Sequence, residues 1–136
     1  EENKSVLVWD LGSGRKLHTL KGHTGMIHAL AAMPDGTGAL SGSADKTVRV
    51  WDLKAGKLLQ VLKGHTESIH EVAVTPDGEY AISVADDKLK VWHLRSGKEM
   101  QTLIGHTDGI ESLALTADGT RAVTSSGDKT VKVWEL

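Results

Sequence analysis

The stretch KGHTESIHEVAVTPDGEYAISVADDKLKVW, from Lys63 to Trp92, is one copy of a unit that recurs along the whole 136-residue chain. Tryptophans mark its period by ending short apolar runs at intervals of 42, 41 and 42 residues: Trp9, Trp51, Trp92 and Trp134. Gly-His pairs repeat in step with them, with the histidines at His23, His65 and His106. Such a period indicates stacked or radially arranged supersecondary units, because one unit cannot bury its apolar faces alone.

Composition argues against several classes of partner and site. The chain has 16 basic and 18 acidic residues and a net charge of -2, so neither nucleic acid nor an anionic membrane is an expected partner. The absence of cysteine excludes a disulfide framework and thiolate metal sites, and it favours a reducing, cytoplasmic location. The acidic start EENKSVLVWD is unlike a signal peptide, and no apolar run approaches the ~20 residues of a membrane helix. We expect no cofactor.

Within each unit, short runs rich in Val, Leu, Ile and Thr alternate with Gly, Asp, Ser and Pro every eight to twelve residues, which predicts antiparallel strands throughout. Two units carry a Pro-Asp-Gly turn, in MPDG (33–36) and TPDG (75–78), and the third keeps Asp-Gly in TADG (116–119). An Asp-containing turn then precedes each tryptophan strand. In the middle unit this turn is one residue shorter.

Four short strands per unit, with Gly-His early and Trp-Asp late, resemble the WD-repeat β-propeller family. The Trp-Asp pair stands at Trp9-Asp10 and Trp51-Asp52, but is Trp92-His93 and Trp134-Glu135 in the later units. The resemblance implies an all-β fold of four-stranded antiparallel blades around a channel, with strands a (innermost) to d (outermost). On that template the chain holds two complete and two partial blades: strands c-d in 1–22, whole blades in 23–63 and 64–104, and strands a-b-c in 105–136.

Each unit also contains a His, a Ser or Thr, an Asp and a Trp, a set that by residue type alone could suggest a hydrolase triad. Its repetition argues against catalysis, which needs one activated nucleophile in one pocket. The resemblance implies a structural hydrogen-bond network instead. The members are His23, Ser41, Asp45 and Trp51; His65, Ser83 and Trp92, with either Asp86 or Asp87; and His106, Thr124, Asp128 and Trp134.

Histidines spaced by five residues invite a metal hypothesis. His18, His23 and His28 fall on a strand, a loop and the next strand, so they are not expected to converge, and no metal site is predicted. Positions just inside each strand a are candidates for top-face binding, either as ligand contacts or simply as solvated polar residues: Met26, His28, Ser68, His70, Gly109 and Glu111.

These patterns predict a non-catalytic protein-interaction scaffold. About three blades cannot close a ring, so we expect self-association into a homodimer with six blades or a homotrimer with nine. The strand from Lys16 to Leu20 would complete another chain's last blade, although the strand from Ser5 to Trp9 duplicates that blade's tryptophan strand. One alternative is a fragment of a larger WD-repeat signalling or sensor protein. A less favoured one is a hydrolase whose divergent unit contains Val84 to Lys88.

Overall fold

A computed structural model describes residues 2–136, which form a short 3-10 turn and thirteen strands in four antiparallel sheets. The turn spans Glu2–Lys4 and leads into sheet 1, made of β1 (Val6–Trp9) and β2 (Lys16–Leu20). Sheet 2 contains β3 (Ile27–Ala32), β4 (Gly38–Ser43), β5 (Thr47–Asp52) and β6 (Lys57–Lys63). No helix in this part of the chain is long and apolar enough to cross a membrane.

Sheet 3 repeats sheet 2, and sheet 4 stops one strand short. Sheet 3 contains β7 (Ile69–Val74), β8 (Tyr80–Ala85), β9 (Lys88–His93) and β10 (Lys98–Ile104). Sheet 4 contains β11 (Ile110–Leu115), β12 (Arg121–Ser126) and β13 (Val131–Glu135). In every sheet, strands that are consecutive in sequence are neighbours in space. The predicted all-β fold with four-stranded antiparallel blades is confirmed, and the sheets are open rather than closed into a ring.

Glycine sets the turn between the first two strands of each repeated sheet. Gly36, Gly78 and Gly119 have φ angles of 76°, 74° and 72°, a left-handed conformation that glycine adopts without strain. The amide of Gly36 donates to the carbonyl of Met33 at 2.9 Å, which closes the turn. The sequence therefore encodes these hairpins locally, at the Asp-Gly pairs.

The sheets stack face to face, and their apolar side chains meet between them. Leu40, Val48 and Val50 of sheet 2 form one buried cluster with Ile69 and Val72 of sheet 3. Contact is close at Gly42, where an added Cβ would lie 2.6 Å from a methyl carbon of Ile69. A second cluster of the same kind joins sheets 3 and 4, and a smaller one joins sheets 1 and 2.

The first strand of each repeated sheet contains a register shift. Ile27 pairs with Ser43 and Ala29 with Gly42, so His28 is left over as the extra residue of a bulge. The same shift leaves His70 over in β7 and Glu111 over in β11. Bulges redirect a side chain and are common next to functional sites.

Candidate functional site

In sheet 2, four side chains form a continuous hydrogen-bonded chain between the d-a loop and the b-c turn. Trp51 donates its indole N–H to Ser41 Oγ at 2.8 Å. Ser41 Oγ lies 2.6 Å from His23 Nε2, and His23 Nδ1 lies 2.7 Å from Asp45 Oδ2. Because indole is only a donor, Ser41 accepts from it and donates its own O–H to Nε2. The proton of the imidazole is therefore on Nδ1, which donates to Asp45.

Asp45 is held as a carboxylate by several donors. Oδ1 accepts from the amide and hydroxyl of Thr47, at 2.9 and 2.6 Å, and Oδ2 also accepts from the Thr24 amide at 3.1 Å. Burial opposes ionisation, but the hydrogen bonds from Thr47, His23 and Thr24 outweigh it and lower the pKa of Asp45 to about 2. Burial also lowers the pKa of His23, against the opposing effect of its bond to Asp45, so the imidazole is neutral at pH 7.

Sheet 4 builds the same arrangement with threonine in place of serine. Trp134 donates to Thr124 Oγ1 at 2.8 Å, and His106 lies 2.7 Å from Thr124 and 2.8 Å from Asp128. The Thr107 amide donates to the same Asp128 oxygen at 3.0 Å. Hydrogen bonding by Thr130, foremost among the causes, holds the pKa of Asp128 well below its usual range.

Sheet 3 forms only half of this chain. Trp92 donates to Ser83 Oγ at 2.8 Å, and Ser83 lies 2.6 Å from His65 Nε2. Among the described residues, no carboxylate lies within hydrogen-bonding distance of His65 Nδ1, whereas the two sister histidines each have one at 2.7 or 2.8 Å. The prediction that Asp86 or Asp87 completes this network differs from the structure.

The cause is the one-residue deletion in the middle unit. In sheets 2 and 4, three residues separate the equivalent positions Ser43 and Thr47, and Ser126 and Thr130. The last of the three, Lys46 or Lys129, has a φ of 73° or 70°. In sheet 3, Ala85 pairs directly with Lys88, so only Asp86 and Asp87 remain in the turn. Asp86 takes the left-handed conformation with a φ of 54°. The shorter turn therefore brings neither carboxylate to the histidine.

Both aspartates have other contacts. The carbonyl of Asp86 accepts from the Ile110 amide at 2.7 Å, which ties the turn to sheet 4. Asp87 Oδ1 lies 3.4 Å from the Lys88 ammonium and is otherwise buried without a hydrogen bond in the described chain. These contacts stabilise the turn and do not involve the His65 imidazole.

His65 instead faces a pocket of about 250 Å³ with lysines in its wall. Burial, followed by the positive charge of Lys90, lowers the pKa of His65 to about 4. Lys90 is itself only 9 % exposed, and its ammonium contacts Glu99 and Thr102. Sequence reasoning missed this pocket, although two signals were present: the shortened turn and lysine at position 88, where the sister units have Thr47 and Thr130.

The candidate binding positions include one residue at the same register position in each of three successive sheets. His28, His70 and Glu111 are exposed and are the bulge residues described above. The rings of His28 and His70 are 5.8 Å apart between centroids. Met26 is 48 % exposed, and Ser68 and Gly109 are partly buried.

A scan against family models matches the WD domain, G-beta repeat (WD40), three times in tandem, over residues 14–52, 56–93 and 97–135. The chain belongs to the WD40 repeat family. Each WD40 match starts at or near a d strand and continues through strands a, b and c of the next sheet, so the repeat is offset from the sheet by one strand. A search of curated proteins finds no significant match.

WD40 repeats generally act as non-catalytic scaffolds for protein-protein interaction. The geometry of the Ser-His pair in sheet 3 is consistent with that role. Ser83 is 1 % exposed, and its oxygen already accepts from Trp92, whereas a nucleophile must contact its substrate. Ser83 thus lies within the sheet, and of the Ser-His pair only His65 lines the neighbouring pocket.

Proposed function

We propose that this chain is a protein-interaction scaffold whose partial propeller is completed by other copies of itself. The main support is the apolar face of sheet 4. Val131 and Val133 are 67 % and 62 % exposed. Their counterparts in the preceding sheets are 5 % exposed or less, since each is covered by the next sheet: Val48 and Val50 in sheet 2, and Leu89 and Val91 in sheet 3.

A matching apolar surface lies at the other end of the chain, where sheet 1 has only two strands. Leu30 of sheet 2 is 59 % exposed, while its counterpart Val72, covered by sheet 2, is 7 % exposed. Leu30 lines a pocket of about 280 Å³ beside β1, in the place where two inner strands would lie. In the proposed assembly, β11 and β12 of another copy occupy that place. Exposed apolar patches of this kind are typical of interaction sites.

Strand pairing favours a specific junction. In sheet 2, β5 pairs with β6 so that Val48 faces Leu62. In sheet 1, β1 pairs with β2 in the equivalent register, so that Val6 faces Leu20. Because β13 is the repeat equivalent of β1, it can replace β1 beside β2 of another copy and place Val131 opposite Leu20. The d strand missing from sheet 4 is then supplied by β2.

This exchange also gives a whole number of blades. Thirteen strands are one more than three four-stranded blades require, and displacing β1 removes the surplus strand. Two copies then form six blades, within the usual range of four to eight, and three copies form nine. Further repeats in a longer polypeptide would cover the same faces, so the proposal concerns what the 136-residue chain does alone.

Cysteine cross-linking tests the junction directly, because the native chain contains no cysteine. In the double variant T19C/K132C, the two cysteines face each other only if β13 of one copy lies beside β2 of another. We expect oxidation to yield covalent dimers or larger rings on a non-reducing gel. The matched pair is L7C/T19C, whose positions face each other within one chain.

Both outcomes of that pair of variants are informative. Cross-linked oligomers from T19C/K132C, with slow cross-linking in L7C/T19C, support displacement of β1. Rapid intrachain cross-linking in L7C/T19C, with T19C/K132C remaining monomeric under the same oxidation, would contradict the proposed junction.

A further inference from the structure

The pocket at His65 retains the donors that hold a carboxylate in the two sister sheets. In sheet 2, one oxygen of Asp45 accepts from His23 Nδ1 at 2.7 Å and from the Thr24 amide at 3.1 Å. In sheet 4, one oxygen of Asp128 accepts from His106 Nδ1 at 2.8 Å and from the Thr107 amide at 3.0 Å. The equivalent donors in sheet 3 are His65 Nδ1 and the Thr66 amide.

These two donors have no carboxylate partner among the described residues. His65 is only 8 % exposed. Trp92 donates to Ser83, so Ser83 donates its own O–H to His65 Nε2. The proton of the neutral ring is then on Nδ1, on the side away from Ser83. The Nδ1–H opens onto the pocket, where a carboxylate would accept a stronger hydrogen bond from it than a neutral acceptor does.

The wall of the pocket differs from the sister sites in charge. Where Thr47 and Thr130 donate to the second oxygen of the aspartate, sheet 3 has Lys88, whose ammonium can take that role. None of the acidic side chains near the pocket is hydrogen-bonded to His65. Glu99 contacts Lys90, and Asp87 lies 3.4 Å from Lys88. Glu67 is exposed at the rim of the pocket.

We propose that this pocket binds a carboxylate supplied from outside the chain, the Asp or Glu side chain of an acidic partner segment. His65 Nδ1–H and the Thr66 amide donate to one oxygen, and the Lys88 ammonium binds the other. The volume of about 250 Å³ suits one side chain better than a drug-sized ligand. This site does not depend on self-association, because all its residues lie in one chain, in sheet 3 and in the loop that leads into it.

Histidine NMR of the 136-residue chain provides the test. The probe is acetate, compared with chloride at equal ionic strength, and the His65 signals are assigned with His65→Gln. We expect acetate to move the His65 Nδ1–H resonance downfield in a saturable way and to raise the thermal midpoint, because a ligand that binds only the folded state stabilises it. Equal effects of acetate and chloride would overturn the proposal.

A turn variant is the matched control. One glycine inserted between Ala85 and Asp86 recreates the three-residue turn of sheet 4 and places Asp86 where Asp128 stands. We expect this variant to be more stable than the parent and to lose the acetate response. An acetate response equal to that of the parent would show that the ions bind elsewhere, which contradicts the proposal.

Two further comparisons identify the source of the carboxylate. Glu67→Gln should keep the acetate response. If the substitution instead moves the His65 Nδ1–H resonance upfield in the absence of acetate, Glu67 is the acceptor, and the proposal is overturned. An end-capped peptide with a single Glu should reproduce the acetate shift, and the same peptide with Gln should not. A response to acetate but not to the Glu peptide would assign the site to small carboxylates and reject the peptide partner.

Discussion

Asp45 and Asp87 each follow a serine by four residues, yet only Asp45 reaches a histidine. Asp45 lies in the middle of a three-residue turn, where it accepts from Thr47, the residue that follows the turn, and from the His23 imidazole. Asp87 lies in a two-residue turn beside Lys88. The function of each side chain is therefore set by the backbone of its turn and not by its distance from serine in the sequence.

Removing the Asp45 carboxylate should destabilise the chain. Asp45→Ala leaves the donors of His23, Thr24 and Thr47 without their acceptor, which costs about 1–3 kcal/mol of unfolding free energy. The matched variant Asp87→Ala removes one partly exposed ion pair and should cost less than about 1 kcal/mol. Urea unfolding measures both, and equal losses would contradict the role given to Asp45.

His65 makes stability depend on pH. Its pKa is lowered from 6.5 to about 4 in the folded chain, so between these values the unfolded chain binds the proton more readily. The contribution of neutral His65 is therefore complete above pH 6.5 and decreases as the pH falls towards 4. We expect unfolding free energy to fall across this window, and to fall less in His65→Gln. An unchanged pH slope in that variant would be inconsistent with a neutral, buried His65.

At the scale of the elements, close approach of the sheets sets which residues fit between them. Gly42 of β4 lies against β7, and an added Cβ would be 2.6 Å from Ile69 and 3.0 Å from Val72, both fully or largely buried. Neither side chain can move away without displacing other core atoms.

Gly42→Ala should accordingly cost about 1–3 kcal/mol through overpacking between sheets 2 and 3. Gly12→Ala is the control, because its Cβ would meet only the Asp10 carboxylate at 3.9 Å, and we expect a change within about 0.5 kcal/mol. Thermal or urea unfolding measures the change in unfolding free energy for both variants. A neutral Gly42→Ala would mean that sheets 2 and 3 are less closely packed than described.

Strand order and most turns could be predicted from sequence because their signals are local. The Asp-Gly pairs fix the a-b hairpins, and the tryptophan period fixes the number of units. The missing contact at His65 could not be predicted from residue types, since Asp86 and Asp87 both lie in the right segment. The shorter turn is visible in the sequence, but the direct pairing of Ala85 with Lys88 is needed to show that neither carboxylate reaches His65.

The bulges at His28, His70 and Glu111 were also beyond sequence reasoning. The sequence predicts candidate binding positions at the start of strand a. Nothing in the residue pattern specifies that strand a has one residue more there than the strand it pairs with. A bulge depends on how two strands pair, and the alternation of side chains in one strand does not determine it.

At the scale of the whole molecule, exposure varies with position in the stack. Val133 is 62 % exposed, while its counterparts Val50 and Val91 are 3 % and 5 % exposed. In contrast, Leu17, Leu59 and Met100 are 54 %, 59 % and 52 % exposed in three successive sheets, because d strands form the outer edge in each. The first pattern arises from an uncovered face, and the second is intrinsic to the fold.

A charge on each surface should separate these cases. Val133→Lys places an ammonium on the uncovered face and should prevent association, because the proposed contact would bury it without a partner. Leu59→Lys, of similar exposure on the outer edge, should leave association unchanged. Sedimentation velocity of the two variants compares them. Association that survives Val133→Lys would move the contact to another surface.

The molar mass of the unmodified chain in solution, measured by light scattering at micromolar concentration, tests the central claim most directly. The chain mass is 14.5 kDa. Copies that complete one another's sheets predict a discrete species of two or three times that mass. A folded species that remains at the mass of one chain would contradict completion of the propeller by self-association.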